Sequence, residues 1–225
     1  NKVIGVGLDA PIDPAALSGL EAELRARGDV VRVELATVAM AASGTLLTER
    51  GYRLLGFEDV WLRPPTAPDL VDSSGVDVRR VATLDSWRTA TIEAVACPDG
   101  TGSPVDQLSR KTIEVAINDV LEASGFDRYV ASVDGMVVGA ASMFVHEGVA
   151  LLTGSATLPG FRRRGVQTAL IAARLDAARS RSADLAAITT PPASRSGANA
   201  ARRGFALCYT RAILVGRDQE MRLHL

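Results

Sequence analysis

Lysine is almost missing from this chain of 225 residues: Lys2 and Lys111 are the only two, and all other basic side chains are arginine. The bias runs through the whole sequence, so it reflects overall composition and does not mark a site. Charge of one sign is missing as well. Against 25 basic residues stand 26 acidic ones, and the net charge of −1 excludes generic nucleic-acid binding. Aromatic residues make up only 4%, and the arginines do not interleave with them, so the stacking surfaces of a nucleic-acid binder are lacking too. Cysteine is scarce. Cys97 and Cys208 lie far apart in apolar surroundings, which argues against a disulfide framework or a metal site and reads as two reduced core thiols of a cytoplasmic protein. No stretch is long and apolar enough to cross a bilayer, and no basic-then-apolar leader opens the chain, so no membrane partner is expected. An initiator Met is lacking, and the chain starts in what reads as a strand, so residues upstream of Asn1 are expected to exist.

What remains is the composition of an ordinary globular protein, long enough for one large domain or two small ones. One segment, 64–75, reads as a linker: three prolines, Pro64, Pro65 and Pro68, are followed by small polar residues. It separates 1–63 from 76–225. In the second part, periodicity predicts a strand over 76–82 and amphipathic helices over 84–95 and 110–123. The second helix sets Ile113, Ala116, Ile117, Val120 and Leu121 on one face. A hairpin over 127–133 and 136–145 closes at Asp134-Gly135. There follow a strand over 149–157, a helix over 167–179, a strand over 185–190, a short helix over 194–203 ended by Gly204, and a strand over 205–215. This order makes an α+β fold, a mixed sheet with helices on its faces.

The most informative run is Thr157-Leu-Pro-Gly-Phe-Arg-Arg-Arg-Gly-Val-Gln-Thr-Ala-Leu170. A strand stops at Pro-Gly, three arginines follow, and Gly165 opens a helix. A helix start leaves N–H groups without partners and carries the positive end of the macrodipole. With glycine and arginine added, it forms an anion site suited to a pyrophosphate. A plain solvated loop explains the run poorly, because positive charge at a helix N-terminus costs from a few tenths to about 1 kcal/mol unless an anion is present.

This strand-turn-arginine-glycine-helix unit resembles the acetyl-CoA loop of the GNAT acyltransferases. That family's pattern is Gln or Arg, two residues, Gly, one residue, then Gly or Ala. Arg162, Gly165 and Gln167 stand at those positions, and Gln167 departs from the pattern. The resemblance extends over about 76–215 and implies a GNAT fold with acetyl-CoA as cosubstrate and no metal. It implies that Thr157, Leu158, Arg162, Arg163, Arg164, Gly165, Val166, Gln167 and Thr168 contact the cofactor, together with Asn199 and Arg202 of the later helix. It further implies an acetyl group passed to a primary amine of a small molecule or peptide, with helices 84–95 and 110–123 lining the acceptor pocket. The protein is expected to be cytoplasmic and able to form a homodimer.

The family's usual acid, a tyrosine four residues before the glycine of the later helix, is here Ala200. Candidate groups for proton transfer are Ser155 in the strand, Glu147 beside His146 in the preceding turn, and Tyr209 in the last strand, with Thr153 and Ser196 as further hydroxyls. The missing tyrosine also keeps open a non-catalytic acyl-CoA sensor or scaffold.

The first 63 residues look like a partial, degenerate second GNAT unit. Arg50-Gly51-Tyr52 matches Arg203-Gly204-Phe205, and at the same offset Thr37 falls on Thr190 and Leu54 on Leu207. The expected elements are a strand over 3–8, a helix over 15–27, a strand over 30–37, a helix over 41–50 and a strand over 52–63. Gly5-Val-Gly7-Leu-Asp-Ala10 also fits a dinucleotide fingerprint, with Glu34 further on. Pro11 and Pro14 interrupt the place where its helix should run, and Asp9 and Asp13 would repel a pyrophosphate.

Overall fold

A computed structural model describes residues 2–66, 75–81, 83–97 and 109–216. Most of the expected linker, 67–74, therefore lies outside the described residues, as does Ala82 of the strand expected over 76–82. The chain divides into two compact units that do not follow chain order. One draws on 1–60, 190–192 and 207–225, the other on 61–189 and 193–206.

In the first unit, β1 (Lys2–Val3) pairs parallel with β2 (Arg32–Ala36). β2 pairs antiparallel with β9 (Ala206–Val215), which neighbours β3 (Arg53–Arg63). Helices α1 (Pro14–Ala26) and α2 (Ala41–Glu49) supply Leu17 and Leu47 to a core with Val3, Val31, Val33 and Tyr52. Pairs of charges tie the strands together. Glu34, almost fully buried, meets Lys2 at 2.7 Å and Arg211 at 2.5 Å, and Arg211 also meets Glu58 at 2.6 Å.

The strand expected over 3–8 is cut to two residues. Gly5 and Gly7 have φ +73° and +77°, so the chain turns there and leaves the ladder. Gly7 O accepts from Met40 N at 2.8 Å, and a β-carbon on Gly7 would stand 2.5 Å from Ser43 Oγ. The two glycines therefore let a turn pack tightly on α2. Helix α1 starts later, with Pro14 in its first turn and the Asp13 carboxylate accepting from Ala15 N and Ala16 N. A carboxylate already occupies the anion position of that helix start, which removes the dinucleotide reading.

The second unit holds β4 (Asp77–Val81), α3 (Asp85–Val95), α4 (Arg110–Glu122), β5 (Phe126–Val133), β6 (Met136–His146), β7 (Val149–Thr157), α5 (Val166–Ser180), β8 (Leu185–Thr190) and α6 (Arg195–Arg202). Its strands run in the order β8-β7-β6-β5-β4, with β8 parallel to β7 and the rest antiparallel. The β5–β6 hairpin turns at Asp134 and Gly135, both with positive φ, as a two-residue turn requires. Helix α5 covers one sheet face. Val166, Leu170, Ile171 and Leu175 pack there on Val138, Met143, Ala150 and Leu152. On the other face Trp87 and Ala90 of α3 meet Val130 and Ala140, and the Trp87 Nε1–H donates to Ala141 O at 2.9 Å. The apolar stripe of α4 is shallower than its periodicity predicts: only Ile113 is buried, and Val120 is exposed.

The cysteines correct the sequence reading. Cys97 and Cys208 are free, but both are exposed. Cys97 follows the last turn of α3. Cys208 sits on the part of β9 that runs past the end of β2, whose last partner is Arg211. Apolar neighbours in sequence did not bury either thiol. Among the described residues no helix is long and apolar enough to cross a membrane, and no cluster of His, Cys, Asp and Glu could hold a metal ion.

Candidate active site

Two irregularities of β7 build the site. On its β8 side the register ends at Leu151↔Ala187, although β7 continues to Thr157 and β8 to Thr190. The two parallel strands part, and the β7 backbone beyond Leu151 has no ladder with β8. On the β6 side Ala140 pairs with Ala156 but Ser142 with Thr153, so β7 carries one extra residue there. Gly154, φ +61°, accommodates this bulge. An isolated glycine within a strand is a bulge signal, and it is the sequence feature that could have located the site's backbone edge.

Beyond Thr157 the chain makes a short 3-10 turn at Pro159–Phe161, then passes through left-handed backbone at Arg163 (φ +62°) and Gly165 (φ +78°) into α5. A β-carbon on Gly165 would meet nothing within 4 Å, so this glycine serves its backbone angle and not a close approach. No side chain caps the start of α5. The first-turn N–H groups and the dipole are thus offered to an external acceptor.

The structure separates the three arginines. Arg163 and Arg164 are exposed, and the Arg164 guanidinium lies over the Phe161 ring at 5.0 Å. Arg162 turns elsewhere: it donates to Thr157 O at 3.3 Å, to Ala94 O at 3.5 Å and to Cys97 O, and so ties the loop to the C-terminal end of α3. Val166, the first residue of α5, is buried against the sheet, while Gln167 and Thr168 are half-buried. The bulky Gln167 side chain swings toward α6, where its Oε1 accepts from Asn199 Nδ2; Asn199 Oδ1 in turn accepts from Arg202. Thr157, Leu158, the arginine loop, Asn199 and Arg202 are therefore brought to one region.

The proton-transfer candidates belong to different elements. Ser155 is exposed on β7 next to the bulge. Glu147 (φ +45°), 3.8 Å from His146 Nε2, is in the β6–β7 turn, at the opposite end of β7 from the arginine loop. Tyr209 belongs to β9 in the first unit. Ala200, where the family pattern has a tyrosine, is fully buried and packs in the core that holds Phe205.

Residues 97–205 match the acetyltransferase (GNAT) family model. No curated protein matches the chain. Among solved structures, a GCN5-related N-acetyltransferase from Kribbella flavida is 20% identical, with a TM-score of 0.69 over 95% of this chain and 80% of its own. A conserved protein from Staphylococcus epidermidis, described as functionally unknown, is 14% identical, with a TM-score of 0.63 over 92% of this chain and 81% of its own. A tandem GNAT protein from the clavulanic acid biosynthesis pathway is 13% identical, with a TM-score of 0.64 over 89% of this chain and 68% of its own. Parted parallel strands, a bulged edge and an uncapped helix start behind an arginine loop thus belong to a GNAT fold. Residues 97–205 form a GNAT-family acetyltransferase domain, and that domain with the shared fold supports an acyltransferase.

Proposed function

We propose that the protein transfers the acetyl group of acetyl-CoA to a primary amine of a small molecule or peptide by direct attack. The parting of β7 from β8 beside the open N-terminus of α5 carries this reading. A strand edge without a partner accepts an extended chain bearing amides, as the pantetheine arm does, by adding main-chain hydrogen bonds. The pyrophosphate then meets the first-turn N–H groups of Val166, Gln167 and Thr168, with Arg163 and Arg164 beside them. Asn199, fixed between Gln167 and Arg202, borders the arm from α6.

In the reaction the neutral amine attacks the thioester carbonyl carbon, a C–N bond forms, and the C–S bond breaks to release thiolate. Charge developing on the carbonyl oxygen is met by backbone N–H groups along the β7 edge from Ser155 to Leu158. The exposed Ser155 hydroxyl holds a water that takes the amine's proton. Helices α3 and α4 line the acceptor side. The N-terminal segment is read as a degenerate second GNAT unit. Its parallel β1 and β2, joined by α1 and followed by α2 and β3, repeat the order of β7, α5, β8, α6 and β9. Its Asp13-capped helix start has lost the anion site.

The test is titration calorimetry with acetyl-CoA on the wild type and on the Arg163→Glu/Arg164→Glu pair, with thiol release followed across a panel of amines. Affinity is expected to fall by about tenfold or more. Unchanged affinity refutes the pyrophosphate assignment, and tight binding without turnover on any amine refutes the proposed transfer.

A further inference from the structure

A buried cation under the β7 bulge has no part in the reaction as drawn so far. Arg174, in the middle of α5, is 1% exposed. Its Nε–H donates to Leu170 O at 2.9 Å, one turn back on its own helix. One terminal nitrogen donates to Ser142 O of β6 at 3.0 Å and to Thr153 O of β7 at 3.3 Å. Ser142 and Thr153 are register partners, and the extra residue of β7 comes immediately after them. Among the described residues no carboxylate pairs with this guanidinium, and burial pushes its pKa down to about 9.

Keeping a charge in a core without a counter-ion is costly, whereas a neutral side chain of similar volume would pack there without that cost. The geometry shows what the cation accomplishes. A bulge withdraws carbonyls from the ladder, and buried carbonyls must find other donors. One guanidinium group meets both carbonyls and so pins the two strands at the point where their register changes. The peptide that offers Thr153 O has the Gly154 N–H at its other end, so the hydrogen bond also polarises the start of the active edge.

We propose that Arg174 is a positioning residue for acyl transfer: through Ser142 O and Thr153 O it sets the direction of the β7 edge that holds the thioester. The assignment rests on the acetyl-CoA reading of that edge. The hydrogen bonds of Arg174 go to Leu170 O, Ser142 O and Thr153 O, none of them in the loop that takes the pyrophosphate, so it acts on the rate and not on cofactor affinity.

The experiment uses the full chain with Arg174→Met and Arg174→Lys. Backbone amide resonances of residues 154–157 are recorded without ligand, and kcat and the KM for acetyl-CoA are measured on the best amine. In Arg174→Met the amides of Gly154 and Ser155 should move and kcat should fall by about tenfold or more, as a misplaced reacting group causes. KM should stay within about threefold of wild type, a change worth less than about 0.7 kcal/mol. Arg174→Lys, which keeps the charge and donors, should recover part of both. Unmoved amides overturn the proposal, as does an equal loss of rate and affinity that Lys does not relieve. Where the Met variant fails to fold, Arg174→Gln takes its place: its amide is polar but too short to reach both carbonyls, so the same outcomes are expected. The amide readout needs no turnover. A wild type that acetylates nothing would refute the proposed function, while the resonances alone would still decide whether Arg174 holds the edge.

Discussion

Gly139 of β6 offers a direct test of how the cofactor loop is seated. It pairs with Thr157 at the end of β7, and the start of α5 presses on it. A β-carbon there would stand 2.7 Å from Val166 Cγ1, 3.1 Å from Ala156 O and 3.4 Å from Leu170 Cδ1. None of these neighbours yields easily. Val166 and Leu170 are buried in the core, and Ala156 O belongs to the backbone of β7. Gly139→Ala must therefore push the first turn of α5 away from the sheet. Overpacking of this kind costs about 1–3 kcal/mol. The lower entropy of the unfolded alanine chain offsets about 0.4–1 kcal/mol of it. A net loss of about 1–2 kcal/mol follows, to be read from urea unfolding monitored by circular dichroism. The same displacement carries the N–H groups of Val166 and Gln167 with it, so acetyl-CoA affinity should fall by about three- to tenfold in calorimetry, or about 0.7–1.4 kcal/mol. Gly160→Ala is the control: it lies in the same loop, where a β-carbon meets nothing within 4 Å, and it should leave both quantities unchanged. Wild-type stability and affinity in Gly139→Ala, or equal damage from Gly160→Ala, would refute the reasoning.

Two further outcomes are expected. The buried Tyr52 hydroxyl donates to Glu21 Oε1 at 2.9 Å, and Tyr52→Phe should lower stability by about 1–2 kcal/mol because it strands that carboxylate oxygen. Burial first, and then Glu21, hold the phenol pKa well above its ordinary 10. Above pH 10 the unfolded chain loses this proton while the folded chain keeps it, so wild-type stability falls with pH and the gap to the Phe variant closes. A gap that stays constant in urea melts up to pH 11.5 would contradict this. Both cysteines should react with a thiol reagent in the native protein without denaturant, since Cys97 and Cys208 are exposed. Reaction of only one, or of neither, would show that these surfaces are covered.

The sequence by itself determined whatever depends on neighbours within a turn or two. Asp134-Gly135 dictated a hairpin because few other pairs tolerate two consecutive positive φ angles. Gly165 before an Ala/Leu-rich run marked the start of α5, and Ser194 and Asp13 accept hydrogen bonds at the starts of α6 and α1. Pro11 and Pro14, just after Gly5–Ala10, carried the evidence against a nucleotide site there. Tertiary structure decided whatever depends on residues far apart in the chain. Apolar neighbours in sequence suggested buried cysteines, but burial depends on what packs above a residue, and β2 ends before it reaches Cys208. The periodicity of α4 gave a face but not its depth, so Val120 remains exposed. Nothing near Arg174 in sequence distinguishes it from Arg179, the other arginine of α5. It is buried because the sheet bulges beneath it and two carbonyls, from residues 142 and 153, need a donor there. The arginine loop was legible from sequence because one turn of helix and one glycine suffice to define it. The edge it serves was not, because a bulge and a parting of strands exist only once three strands have taken up their register.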